Sequence, residues 1–143
     1  MANLLLIEDD ALLRGQLAGG LSGAGHEVAE AGNGTDGVRL FRAAGPDLVI
    51  TDIVMDQGEG LGTIIVLRRA APAQPILAMS GNPMYLDHGL KLGATEGLLK
   101  PFRMAALLAA VDRHARPAAS GGCRPGRRPR RRRPPRSVPC RRR

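Results

Sequence analysis

Aromatic residues are almost missing from this chain of 143 residues: it has no tryptophan, one tyrosine and two phenylalanines. None of the three lies after residue 116, which excludes an aromatic platform for stacking nucleic-acid bases in that part. Cysteine is as scarce. Both copies, Cys123 and Cys140, also fall after residue 116. The preceding part therefore has neither a disulfide framework nor a cysteine metal site, which fits a reducing compartment. The histidines, His26, His88 and His114, are dispersed and form no ligand pair, so packing or surface roles are their default. No apolar run approaches the roughly 20 residues of a membrane span. No basic region precedes the short apolar run near the N-terminus, so a signal peptide is not expected. The expected location is cytoplasmic, without membrane contact.

Acidic residues are absent from the last stretch altogether. The formal net charge of +8 suggests a nucleic-acid binder, but that average covers two unlike regions. Residues 1–116 hold all 13 acidic residues and 10 of the 21 lysines and arginines, a net of −3. Residues 117–143 hold the other 11 basic residues, every one an arginine, with six prolines and one large aliphatic residue, Val138. Such a segment cannot bury enough apolar surface to offset the entropy of ordering, and a disordered Arg/Pro-rich tail is expected. Residues 1–116 give one ordinary domain with a modest core.

Within that domain, short apolar runs alternate with longer helical patterns. The strand candidates are Asn3–Ile7, His26–Glu30, Leu48–Thr51, Pro75–Met79 and Glu96–Leu99. The helix candidates are Ala11–Leu21, Thr35–Ala43, Leu61–Ala70, Met84–Leu92 and Met104–His114. In the last, Leu107, Leu108 and Val111 mark an apolar stripe at spacings of three and four. Gly45-Pro46, Ala71-Pro72 and Gly93 punctuate the ends. Five strands, each followed by a helix, predict an α/β fold: a doubly wound parallel sheet covered on both faces. The first helix carries Gly15, Gly19 and Gly20, each costing roughly 1 kcal/mol relative to alanine. Packing through Leu13, Leu17 and Leu21 has to compensate.

In an open parallel sheet, ligands bind beyond the carboxyl ends of the strands. The first strand ends in Glu8 and Asp9, the third in Asp52, the fourth in Ser80 and the fifth in Lys100 followed by Pro101. Three carboxylates, a hydroxyl and an ammonium thus share one edge. Neighbouring carboxylates repel and raise each other's pKa unless a cation sits among them. A hard divalent cation such as Mg²⁺ suits a few carboxylates with water or phosphate oxygens, and it polarises a phosphoryl group. Aspartate is a nucleophile for phosphoryl transfer, and the product needs a cation and a hydroxyl, which Lys100 and Ser80 supply. Asp10 reads instead as the cap of the helix that starts at Ala11.

The stretches "LLIEDD", "PDLVITDIVM", "PILAMSG" and "GATEGLLKPF", in this order and spacing, resemble the receiver domain of bacterial two-component response regulators over about residues 2–115. The resemblance implies a flavodoxin-like sheet in the order 2-1-3-4-5 and an acidic Mg²⁺ pocket. By position it makes Asp52 the phosphoacceptor, Asp9 a metal ligand, Glu8 a ligand through water and Val54 a ligand by its backbone carbonyl. Ser80 turns toward the phosphate, Lys100 pairs with it, and Lys100–Pro101 is a cis bond. The chain is then a stand-alone phosphoacceptor rather than a conventional enzyme. Its donor is a histidine kinase or histidine phosphotransfer protein, and a downstream protein reads the face of the fourth helix, fifth strand and fifth helix.

Some positions depart from that pattern. Asp56 stands where the family usually has proline, which makes "MDQGEG" more acidic and less rigid. The aromatic switch of the fifth strand falls at Gly97, so the usual threonine–tyrosine coupling cannot operate. Any signal must then pass through shifts around Ser80 and the fourth helix. After the domain comes the arginine tail rather than a folded output domain. "RRPRRRRPPR" would bind any polyanion by counterion release with little selectivity. The alternative function is accordingly a nucleic-acid or polyanion binder acting through the tail, with a degenerate receiver as platform. The tail's composition is also what a GC-rich gene yields out of frame, and charge runs alone are weak evidence of function. "GEGLGT" fails as a dinucleotide fingerprint, because Thr63 replaces the third glycine and no acid stands about twenty residues on.

Overall fold

The computed structural model describes residues 2–53 and 59–115. Strands and helices alternate along them: β1 (Asn3–Ile7), α1 (Ala11–Gly23), β2 (Glu27–Ala31), α2 (Gly34–Ala44), β3 (Leu48–Asp52), α3 (Glu59–Ala70), β4 (Ile76–Ser80), α4 (Pro83–Leu92), β5 (Glu96–Leu99) and α5 (Met104–His114). The strands form one sheet in the order β2-β1-β3-β4-β5, with every neighbouring pair parallel. This is the flavodoxin-like doubly wound architecture that the sequence predicts.

Burial follows position in the sheet. The central strands "LVITD" and "ILAMS" are buried along their whole length, as expected of strands with helices on both faces. Alternate residues feed two cores. Leu4, Leu6, Ile50, Leu77 and Met79 face α1 and α5 through Leu17, Leu21, Leu107 and Val111. Leu5, Ile7, Val49, Ile76 and Ala78 pack on the other face with Phe41, Ile64, Leu67 and Leu86. No helix among the described residues is long and apolar enough to cross a membrane.

The glycine-rich first helix forms and runs to Gly23, beyond the expected Leu21. Asp10 caps it as anticipated, its Oδ1 accepting from the amides of Leu12 at 3.0 Å and Leu13 at 3.2 Å. Leu17 and Leu21 are buried and Leu13 packs against the same core, which supplies the compensation the glycines need. At Gly20 a β-carbon would run into the side chain of Met104, so that glycine allows a close approach to α5.

Strand ends differ from expectation by a residue or two, for local reasons. The His26 amide donates to Leu21 O at 3.2 Å and its Nδ1 accepts from the Ala2 amide at 3.2 Å. It closes α1, and strand pairing begins at Glu27 opposite Asn3. At the other edge, pairing continues one residue further than expected. Asp52 lies opposite Met79 and Ser80 opposite Leu99, so both polar residues are the last of their strands. On the far side, Arg68 ties α3 to the end of α4, donating to Gly93 O from Nε at 3.0 Å and to Pro72 O from Nη1 at 2.7 Å.

Candidate functional site

Parallel pairing in register brings the carboxyl ends of β1, β3, β4 and β5 side by side. Thr51 stands opposite Ile7, which places Asp52 beside the Glu8 position. The Lys100 amide donates to Ser80 O at 2.8 Å, continuing the ladder one step past β5. The Lys100–Pro101 peptide bond is cis. Glu8 is held at the β2 side by its own amide, which donates to Ala31 O at 3.0 Å.

Three carboxylates converge there. One oxygen each from Glu8, Asp9 and Asp52 lies within 4.8 Å of the others. Glu8 and Asp52 are buried, at 1% and 5% exposure, and Asp9 is half-buried. Lys100 Nζ donates to Glu8 Oε2 and to Asp52 Oδ2, both at 2.9 Å. Burial raises Glu8 to about 7, the charge of Asp52 adds to the rise, and the hydrogen bond from Lys100 opposes it. Burial alone would lower Lys100, but its bonds to Glu8 and Asp52 outweigh that and leave it raised. One ammonium thus serves two buried carboxylates, and the more deeply enclosed carboxylate keeps a high proton affinity. A set of hard oxygen donors this close together fits a hard divalent cation.

Ser80 is buried at the neighbouring strand end. Its Oγ accepts from the Asn82 amide at 3.1 Å, next to the start of α4. Of the residues the sequence singles out, Glu8, Asp9, Asp52 and Lys100 form one cluster, with Ser80 beside it. Val54 and Asp56 lie outside the described residues, as does the arginine tail. At Gly97, a β-carbon would stand 3.3 Å from Leu86 Cδ2, so α4 lies directly over the position where the aromatic residue is missing.

Sequence reasoning overlooked two contributors. Arg14 in α1 donates from Nη1 to the Glu8 backbone carbonyl at 2.7 Å. Gly60, at the start of α3, lies so close to the Ile53 backbone that a β-carbon there would collide with it. The only signals in the sequence were a basic residue one turn beyond the Asp10 cap and a glycine soon after the phosphoacceptor candidate. Neither is diagnostic without the fold.

Known proteins resemble this chain in sequence and in fold. The chain is 40% identical over 110 residues to the probable transcriptional regulatory protein SilR of Salmonella typhimurium, covering 76% of this chain and 48% of that protein. It is 30% identical over 113 residues to the chemotaxis protein CheY of Thermotoga maritima, covering 77% of this chain and 94% of that one. Among solved structures, chemotaxis protein CheY4 of Vibrio cholerae superposes with a TM-score of 0.74 at 29% identity, over 80% of this chain and 98% of that chain. The chain spans about half the length of the curated transcriptional regulators it matches. The response regulator receiver domain matches residues 4–112, and the chain belongs to that family.

Proposed function

We propose that this chain is a phosphoacceptor switch of a two-component system, taking a phosphoryl group on Asp52 from a histidine kinase or histidine phosphotransfer protein. The observation that carries this reading is the pairing of Asp52 with Lys100 at 2.9 Å inside a group of three carboxylates within 4.8 Å. A carboxylate oxygen of Asp52 forms the new P–O bond as the bond from phosphorus to the donor nitrogen breaks, and the electron pair leaves with the imidazole. Lys100 Nζ, already bonded to Asp52, stays beside the growing negative charge. Ser80 Oγ turns from the Asn82 amide and donates to a phosphoryl oxygen.

Glu8, Asp9, Asp52 and the Val54 carbonyl would hold Mg²⁺, Glu8 through water. When bound, the ion screens the carboxylates from one another and stabilises charge on the phosphoryl oxygens. The product biases the surface of α4, β5 and α5 for a downstream protein; Met84, Tyr85 and Leu90 of α4 and Leu99 of β5 are exposed. With Gly97 in β5, the shift reaches that face through Ser80 and α4.

The domain boundary near residue 116 and a cytoplasmic location belong to the same proposal. Incubation with acetyl phosphate, with Mg²⁺ or with a chelator, tests it by intact mass. Uptake of a single phosphoryl group in Mg²⁺ alone is expected, and a folded chain that takes up none contradicts the reading. The competing role as a polyanion binder rests on the 11 arginines after residue 116. Removing residues 117–143 separates the two, because phosphoryl uptake should survive while polyanion binding disappears.

A further inference from the structure

Arg14 sits at the same edge of the sheet, and the phosphoacceptor chemistry gives it no role. Its side chain is three-quarters buried, at 24% exposure, unlike the solvated Arg39, which pairs with Asp36 on α2. Nη1 donates to Glu8 O at 2.7 Å, and Nε stands 3.8 Å from Glu30 Oε1 on β2. A β-carbon at Gly32 would lie 3.0 Å from Nη1, so the guanidinium fills the space that a side chain at that position would take.

The consequence for Glu8 is specific. Its N–H is held by Ala31 O at 3.0 Å, its C=O by Arg14, and its carboxylate by Lys100 and by the Asp10 amide, which donates to Oε1 at 3.3 Å. The carbonyl that Arg14 holds belongs to the peptide joining Glu8 to Asp9. Fixing that plane sets where the Asp9 α-carbon sits and narrows the directions its side chain can take. A charge-assisted bond to a carbonyl is stronger than a neutral one, and partners one step removed from metal ligands commonly set affinity by orienting them.

We propose that Arg14 is a positioning residue of the acidic site. By clamping the Glu8 carbonyl between α1 and β2, it holds the β1–α1 loop so that Glu8 and Asp9 face Asp52. This rests on the phosphoacceptor reading for its purpose, but not for its geometry. Lysine at this position keeps the charge but replaces the planar fork with a compact ammonium on a flexible stem, so it holds the Glu8 carbonyl in a less fixed direction.

The test compares the full chain with Arg14→Gln, Arg14→Lys and the surface control Arg39→Gln. Mg²⁺ binding is read by titration calorimetry, and amide hydrogen exchange is followed residue by residue. Arg14→Gln should weaken Mg²⁺ binding about tenfold and speed exchange of the Asp10 amide selectively. Arg14→Lys should recover part of both, and Arg39→Gln should change neither. Wild-type Mg²⁺ affinity in Arg14→Gln would overturn the proposal. So would exchange that quickens evenly across the sheet, which marks a stabilising residue only. If the wild-type chain itself binds no Mg²⁺, the phosphoacceptor reading fails, and selective exchange at Asp10 still decides whether Arg14 holds this loop.

Discussion

Lys100 and Glu8 are 92 residues apart in the chain, yet Lys100 Nζ meets Glu8 Oε2 at 2.9 Å, while the same ammonium reaches Asp52 Oδ2 at 2.9 Å. Glu8 is almost fully enclosed and Lys100 is 22% exposed. Removing the ammonium leaves two buried carboxylates facing each other, and breaking a buried pair from one side costs more than the pair contributes. In metal-free buffer Lys100→Ala should destabilise the domain by about 2 kcal/mol, allowing for the partial exposure of the ammonium. Added Mg²⁺ should restore much of this loss. Chemical denaturation with chelator and with Mg²⁺ checks both statements, and equal losses in the two buffers would argue against metal binding among these carboxylates.

The pH dependence follows from Glu8. Burial, aided by Asp52 and opposed by Lys100, raises it from 4.5 to about 7. Between those values the folded chain keeps a proton that the unfolded chain releases, so unfolding becomes easier as pH rises. The contribution is complete below pH 4.5 and is lost as pH rises through about 7. The thermal midpoint in chelator should therefore fall between about pH 5.5 and pH 8. Mg²⁺ competes with that proton, so its affinity should increase over the same interval. Glu8→Gln should flatten both trends.

Two other groups act outside this interval. Glu96, lowered because its bonds to Arg113 and His114 outweigh burial, contributes stability above pH 4.5 that is lost as pH falls through its folded value. Lys100, raised because its bonds to Glu8 and Asp52 outweigh burial, contributes below pH 10.5 and loses that contribution at still higher pH.

The glycines divide by what surrounds them. A β-carbon at Gly15 or Gly19 in α1 would meet nothing within 4 Å. Either alanine substitution should stabilise the domain by about 0.5–1 kcal/mol, because alanine loses less entropy than glycine in a helix. At Gly60 the added carbon would collide with the Ile53 backbone, one residue from Asp52. Gly60→Ala should cost about 3 kcal/mol and slow phosphoryl uptake as the segment after β3 is displaced. Parallel denaturation curves and uptake time courses separate the two classes.

Much of this was legible in the sequence because a parallel sheet turns strand ends into neighbours. Once "LLLI", "LVIT", "ILAM" and "EGLL" are taken as strands, Glu8, Asp9, Asp52, Ser80 and Lys100 fall on one edge without further information. Strand and helix limits were less legible, since they depend on pairing partners. His26 left β2 because it closes α1, and Asp52 joined β3 because Met79 stands opposite. Arg14 escaped notice because its bond is to a backbone carbonyl. Its proximity to Glu30 depends on the register that sets Leu6 beside that residue. Gly60 escaped because a close approach to the Ile53 backbone leaves no trace in hydropathy.

The central claim is that Asp52 accepts a phosphoryl group. The measurement that tests it most directly is intact-mass spectrometry of the wild-type chain and Asp52→Asn, each incubated with Mg²⁺ and acetyl phosphate. The account predicts one hydroxylamine-labile phosphoryl group on the wild type and none on the variant. Equal uptake by a folded Asp52→Asn protein would contradict it.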